Sequence, residues 1–188
     1  MKKSISLVLA LTMVLALCAG CSSAKPAETT GPATEATEAP KVLEGTMEEL
    51  LNKVIEIQPV EFSGMVNVLD LTDTSEDGLW ALKNSTGLDN ADQISEAAEY
   101  MPMMSAIAYS MVMVRVSEGA DVKAVAERMK SGVDTRKWIC VEADQLMVAG
   151  YADVVMLIMV DSSSGMTAQY FVDSFRTVCG AELDFVLE

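Results

Sequence analysis

Histidine is missing altogether. With it go the commonest general base near neutral pH, the Ser/His and Cys/His nucleophile pairs, and most zinc or copper sites. Aromatic residues are scarce at 5% of the chain, and fourteen methionines take up part of their packing role. Positive charge is scarce as well. All 28 acidic residues follow Cys21, whereas Lys2 and Lys3 precede it, so a chain starting at Cys21 keeps 11 of its 13 basic residues and stands at net −17. That surplus repels phosphate backbones and anionic lipid surfaces, which argues against nucleic acid as a partner and leaves a covalent anchor as the route to a membrane. No paired carboxylates, metal-ligand cysteines or phosphate-binding loop stands out, and no cofactor is expected.

The N-terminus carries what is lacking elsewhere. Lys2 and Lys3 give a positive start, and Ile5 to Leu17 is apolar apart from Ser6 and Thr12. About thirteen apolar residues are too few to span a bilayer, which needs roughly 20, so residues 1–20 read as a signal peptide. Leu17-Cys18-Ala19-Gly20-Cys21 resembles a lipobox, in which small residues expose the scissile bond and the following cysteine thiol accepts a diacylglyceryl group. Cys18 stands where that pattern usually has Leu. Using Cys18 as the anchor would put bulky Leu17 at the cleavage position, so Cys21 is the expected lipid anchor. Two acyl chains, at roughly 0.8 kcal/mol per buried methylene, hold stably where one would not. Residues 21–45 are mostly Ser, Ala, Thr, Glu and Pro, too polar to bury a core, and read as a disordered tether reaching as much as ~70 Å. Residues 46–188 are left as a single globular domain.

Within that domain, Thr46 followed by Glu49 reads as a capping box, and Leu50, Leu51, Val54 and Ile55 form an apolar stripe, so a helix is predicted over 46–57 ahead of Pro59. Residues 60–71 are Val-rich with poor alternation, and whether they form a strand is open. Leu79 to Gly87 reads as a short helix, and Ile94, Ala97, Ala98 and Met101 mark another, interrupted by Pro102. Ala106 to Val116 reads as a central strand with both faces covered. Val122, Val125, Ala126 and Met129 predict an amphipathic helix. Trp138–Ala149 and Asp153–Val160 predict a hairpin. A helix with Met166, Phe171, Phe175 and Val178 inward follows, stopped by Gly180, and then a last strand over Leu183–Leu187. The expected class is α+β: a ferredoxin-like β-α-β-β-α-β core over about 105–188, with two helices on one face of its sheet and the N-terminal helices packing on the other.

Tyr100-Met101-Pro102-Met103-Met104, Arg136-Lys137-Trp138-Ile139-Cys140 and the strand Val154 to Val160 resemble a family of small bacterial lipoproteins known as domain of unknown function 4358. The likeness runs from about residue 79 to 179 and extends to the signal-and-linker layout. It implies an extracytoplasmic lipoprotein and supplies no activity, ligand or catalytic residue.

Four groups of residues invite chemistry. Asp73, Ser75 and Asp77, with Gly78, have the spacing that opens a helix-loop-helix calcium loop, but Ala81 and Asn84 stand at the ninth and twelfth positions, where oxygen ligands are needed. They are weak metal candidates, and a solvated acidic turn is the stronger reading. Met101, Met103 and Met104, with Met111 and Met113, offer thioethers to Cu(I), against the commoner role of core filling. Asn84-Ser85-Thr86 matches a glycosylation sequon, which in a bacterial lipoprotein reads as chance. Arg136 and Lys137 either meet an acidic partner or complete the last turn of the preceding helix. Compartment and even count would pair Cys140 with Cys179. The expected topology puts them at opposite ends of the sheet, about 20 Å apart, so two unpaired, largely buried thiols are predicted.

These readings favour a membrane-anchored extracytoplasmic lipoprotein whose domain is a non-catalytic module for an envelope protein or small ligand. The alternative is a carboxylate-based enzyme or cation-binding protein acting on envelope material, marked by three or more acidic side chains meeting in a pocket.

Overall fold

A computed structural model describes residues 41–104 and 106–188. The expected signal at 1–20, Cys18, the Cys21 anchor and the tether up to residue 40 lie outside the described residues. No helix among the described residues is long and apolar enough to cross a membrane.

The capping box forms as predicted: Thr46 Oγ1 accepts from the Glu49 N–H at 3.2 Å, and Glu49 Oε2 accepts from the Thr46 N–H at 3.0 Å. Helix α1 (Met47–Ile57) follows and buries Met47, Leu50, Leu51 and Val54. At about 1.5–3 kcal/mol per buried side chain, that face contributes roughly 6–12 kcal/mol of gross transfer free energy. Strand β1 (Gly64–Val68) settles the character of the Val-rich stretch. Next come α2 (Glu76–Thr86), β2 (Ile94–Pro102), β3 (Tyr109–Val116), α3 (Val122–Gly132), β4 (Gln145–Tyr151), β5 (Val154–Val160), a 3₁₀ turn at Ser162–Ser164, α4 (Ala168–Cys179) and β6 (Phe185–Leu187). Gly87 and Gly180 end α2 and α4 in the left-handed region, as their positions in the sequence suggested.

One antiparallel sheet holds all six strands in the order β1-β2-β3-β5-β4-β6. Side-chain alternation divides the core into two layers. Tyr109, Met111 and Met113 of β3 and Met156, Ile158 and Val160 of β5 pack under α1 and α4. Val112, Val114, Val155, Leu157 and Met159 pack under α2 and α3. Every residue of β5 is buried, as a strand covered on both faces requires.

The element order β-α-β-β-α-β from β3 onward is as expected, but the ferredoxin-like strand order is not observed. In that arrangement the last strand lies beside the first. Here β6 pairs with β4, and β2 holds the place beside β3. The β2–β3 connection is short, so this pairing closes locally at small entropic cost. The consequence reaches the helices. The β3-α3-β4 and β5-α4-β6 crossovers step the same way across the sheet from strands that run in opposite directions. With the usual right-handed connection, α3 and α4 then fall on opposite faces. Each face therefore takes one early and one late helix, instead of two late helices on one face and the early ones on the other.

Three further expectations change. Residues 94–102 form a strand, not a helix. Residues 138–144 are a loop ahead of β4, closed by the Ala143 N–H donating to Thr135 O at 2.9 Å, with Cys140 at φ 65°. Residues 41–45, expected to belong to a disordered tether, are instead fastened to the sheet, with Leu43 O and Gly45 O accepting from Arg115.

Candidate functional site

Two charge networks grip β2 from opposite faces. On the α2/α3 face, Glu99 is 1% exposed within the otherwise apolar run Ala97-Ala98-Glu99-Tyr100. A carboxylate there requires a counter-charge and hydrogen bonds. Lys137 supplies the charge from the loop after α3, its Nζ 2.8 Å from Glu99 Oε1. Ser110 on β3 donates to the same oxygen at 2.6 Å, and Ser85 on α2 donates to Oε2 at 2.5 Å. Lys137 Nζ also donates to Ser110 Oγ at 3.0 Å and to Asn84 O at 3.1 Å, so all three of its N–H donors are engaged. Four elements meet in this cluster. A Lys–Ser pair at 3.0 Å has the composition of a base and nucleophile. Ser110, however, is fully buried and gives its proton to Glu99, which leaves the pair to hold structure.

On the α1/α4 face, Arg115 of β3 lies between Glu96 of β2 (Nε to Oε1, 3.2 Å) and Asp153 in the β4–β5 turn. Its guanidinium also donates to Leu43 O at 3.0 Å and Gly45 O at 2.5 Å. The two carboxylates complete the clamp: Asp153 accepts from the Leu43 N–H at 2.8 Å and Glu96 from the Met47 N–H at 3.2 Å. The planar fork of Arg suits this arrangement. Ala152 beside Asp153 adopts φ 55°, unusual for a residue with a Cβ, and its N–H donates to Asp184 at 2.7 Å.

The residues singled out in the sequence do not converge. Asp73 accepts from the Ser75 N–H at 2.9 Å, Ser75 caps α2 by accepting from the Gly78 N–H at 3.2 Å, and Asp77 is exposed in the first helical turn. Hydrogen bonds from Ser75 hold the Asp73 carboxyl below its ordinary range. The acidic loop thus starts a helix, and no three metal-ligating side chains come together among the described residues. Met111 and Met113 are buried under α1 and α4, whereas Met103 and Met104 are about two-thirds exposed. The sequon lies in α2, where the Ser85 and Thr86 hydroxyls are buried and bonded internally. Arg136 and Lys137 part company: Arg136 pairs with Glu142 at the surface and Lys137 goes inward. Cys140 and Cys179 are both free, as predicted, but Cys140 is exposed and Cys179 half-buried. Burial, with Asp184 nearby, pushes the Cys179 thiol up to about 12.

Sequence reasoning passed over Glu99. The available signal was a lone acid inside an apolar run, which predicts a buried partner once that run is read as a strand.

Several grooves among the described residues are open to solvent. One of about 590 Å³ lies beside the clamp, lined by Lys41, Val42, Val116 and Asp153, and one of about 440 Å³ by Phe62, Ile107, Met166 and Tyr170. Among the described residues the outer sheet edge is also uncovered, and β1 there exposes Met65 and Val68 at 50% and 60%. Comparison with family models, curated proteins and solved structures finds no match to this chain.

Proposed function

We propose that this chain is an extracytoplasmic lipoprotein, exported by residues 1–20 and held at the outer face of the membrane through a diacylglyceryl group on Cys21. Its folded part acts as a non-catalytic module that binds a protein or ligand of the envelope. One observation carries the binding role: the buried charges are committed to internal partners, Glu99 to Lys137 and two serine hydroxyls, and Arg115 to Glu96, Asp153 and the backbone. Among the described residues, unpaired backbone groups lie instead along the outer sheet edge at β1, in reach of a partner. The resemblance to the 4358 lipoproteins fits the same reading. An enzymatic or cation-binding role has less behind it, since Asp73 and Ser75 are engaged in starting α2.

The anchor is tested by lipid labelling and membrane fractionation in cells. Cys21→Ala abolishes the label and releases the protein, while Cys18→Ala does neither. Loss of the label in Cys18→Ala alone refutes the assignment. Robust turnover in a screen against hydrolase and isomerase substrates, abolished by one carboxylate substitution, refutes the non-catalytic role.

A further inference from the structure

The pairing of β1 with β2 decides which backbone groups of the outer strand are free. The Leu69 N–H donates to Ala97 O and the Met103 N–H to Ser63 O, both at 3.0 Å. In an antiparallel ladder, hydrogen-bonded pairs recur every second residue. Ser63, Met65, Asn67 and Leu69 therefore face β2, while Gly64, Val66 and Val68 direct three N–H and three C=O groups outward. None of these outward groups is bonded among the described residues.

Soluble proteins blunt such edges with charge, proline, bulges or brevity. The other edge does so: β6 has three residues and is flanked by Asp184 and Glu188. Strand β1 has none of these devices. Ser63 to Leu69 carries no charge and no proline, and acids stand just outside it, Glu61 on one side and Asp70 on the other. Two hydrogen bonds from Thr72 hold the Asp70 carboxyl below its ordinary range, so it is charged at neutral pH.

We infer that the β1 edge is a docking site for an extended protein segment that adds a seventh strand, apolar or β-branched at its centre and basic at both ends. The inference rests on the binding-module reading above and names its partner class. The open ladder specifies an extended backbone. The uncharged stretch with Met65 and Val68 exposed specifies the centre, and the flanking acids specify the ends. A second copy of this chain fits poorly. Antiparallel self-pairing centred on Val66 would bring Glu61 of one copy within one position of Asp70 of the other at both ends, between two chains of net charge −15.

The test uses the full chain purified in detergent and two synthetic peptides with the centre Val-Thr-Val-Thr-Val, one with two Lys at each end and one with two Glu. The Lys-ended peptide slows hydrogen exchange at the Gly64, Val66 and Val68 amides and leaves those of Met65 and Asn67 unchanged. The Glu-ended peptide binds about ten-fold more weakly. Val68→Pro removes an outward donor without touching the β1–β2 ladder, and weakens the Lys-ended peptide by about ten-fold or more. Glu61→Lys, a surface change that keeps the fold, weakens it as well. Failure of the Lys-ended peptide to protect those three amides overturns the proposal, as does binding that neither variant alters. Self-association abolished by Val68→Pro also overturns it, by giving the edge to a second copy. None of these outcomes bears on lipid labelling or on the turnover screen, so the broader reading stands or falls separately.

Discussion

Replacing Lys137 with Met tests whether the Glu99 cluster holds the fold. The variant keeps most of the aliphatic stem and removes the ammonium, which makes three contacts of 2.8, 3.0 and 3.1 Å. Glu99 keeps the Ser85 and Ser110 hydroxyls but loses the one counter-charge it has among the described residues, at a site 1% exposed. Breaking a buried pair from one side costs about 3–5 kcal/mol, a large share of the roughly 5–15 kcal/mol that stabilises a typical domain. At about 2–4 °C per kcal/mol for a chain of this size, Tm falls by roughly 6–20 °C. Urea unfolding followed by circular dichroism is the assay, with the shift appearing in the midpoint and an unchanged slope.

A second variant separates a missing charge partner from lost packing. Glu99→Leu with Lys137→Met removes both charges and leaves Ser85 and Ser110 to find other partners at about 1 kcal/mol each. The double variant is expected to be more stable than Lys137→Met alone, with a coupling of about 2 kcal/mol. A single variant within about 1 kcal/mol of wild type, or strictly additive effects, would refute the reasoning: the pair would then be an incidental contact.

The two thiols should differ sharply in reactivity. At pH 8 a thiol-specific disulfide reagent labels exposed Cys140 quickly and Cys179 slowly, and unfolding in denaturant makes both fast. Because folding raises the Cys179 thiol from about 9 to about 12, its contribution to stability is intact below pH 9 and is lost as pH climbs toward 12. Cys179→Ala should remove that part of the alkaline decline, and equal labelling rates in the native protein would contradict the burial. Tyr109 is fully buried among Phe62, Tyr100 and Phe171, and its hydroxyl has no hydrogen-bond partner among the described residues. Tyr109→Phe is therefore expected to leave stability unchanged or raise it by about 1 kcal/mol, and a clear fall in the thermal midpoint would reveal a partner for the hydroxyl.

Helices with local signals were legible. The capping box opens α1, the stripe Val125, Ala126 and Met129 builds α3, and Phe171, Phe175 and Gly180 mark out α4. Strand β2 was misread for a definite reason. Its register shifts between Ile94 and Glu96, and this irregularity turns Ile94 and Ala97, three residues apart, toward the same α2/α3 layer, while Ala98 faces the other. Two-sided burial with a bulge thus produces the i, i+3, i+4, i+7 spacing of a helix, and Ala, Glu and Met add helical propensity that tertiary packing overrides. With β2 misread, β3 was left with a vacant flank, and a ferredoxin-like closure by the last strand followed. The Glu99–Lys137 pair was hidden by the same error, since an acid on an amphipathic helix reads as solvated.

The position of β2 also bears on what β1 can do. Adding a strand to an edge gives affinity only if the edge is already held in the geometry that the ladder needs; an edge that must first be ordered loses that cost from the binding free energy. Strand β1 gets its ladder from β2 alone, so the order of the edge depends on how firmly β2 is held. It is held from both faces. Through Glu96 it joins Arg115 and the N-terminus of α1, and through Glu99 it joins Lys137, Ser110 and α2. Loosening either network should then weaken peptide binding at β1 without any contact being removed there. Lys137→Met serves for this as well as for stability. At a temperature where the variant is still folded, the Gly64, Val66 and Val68 amides should be less protected by the Lys-ended peptide than in the wild type. Equal protection in the two proteins would mean that β1 is held by its own packing against α1, and that the buried charges serve stability alone.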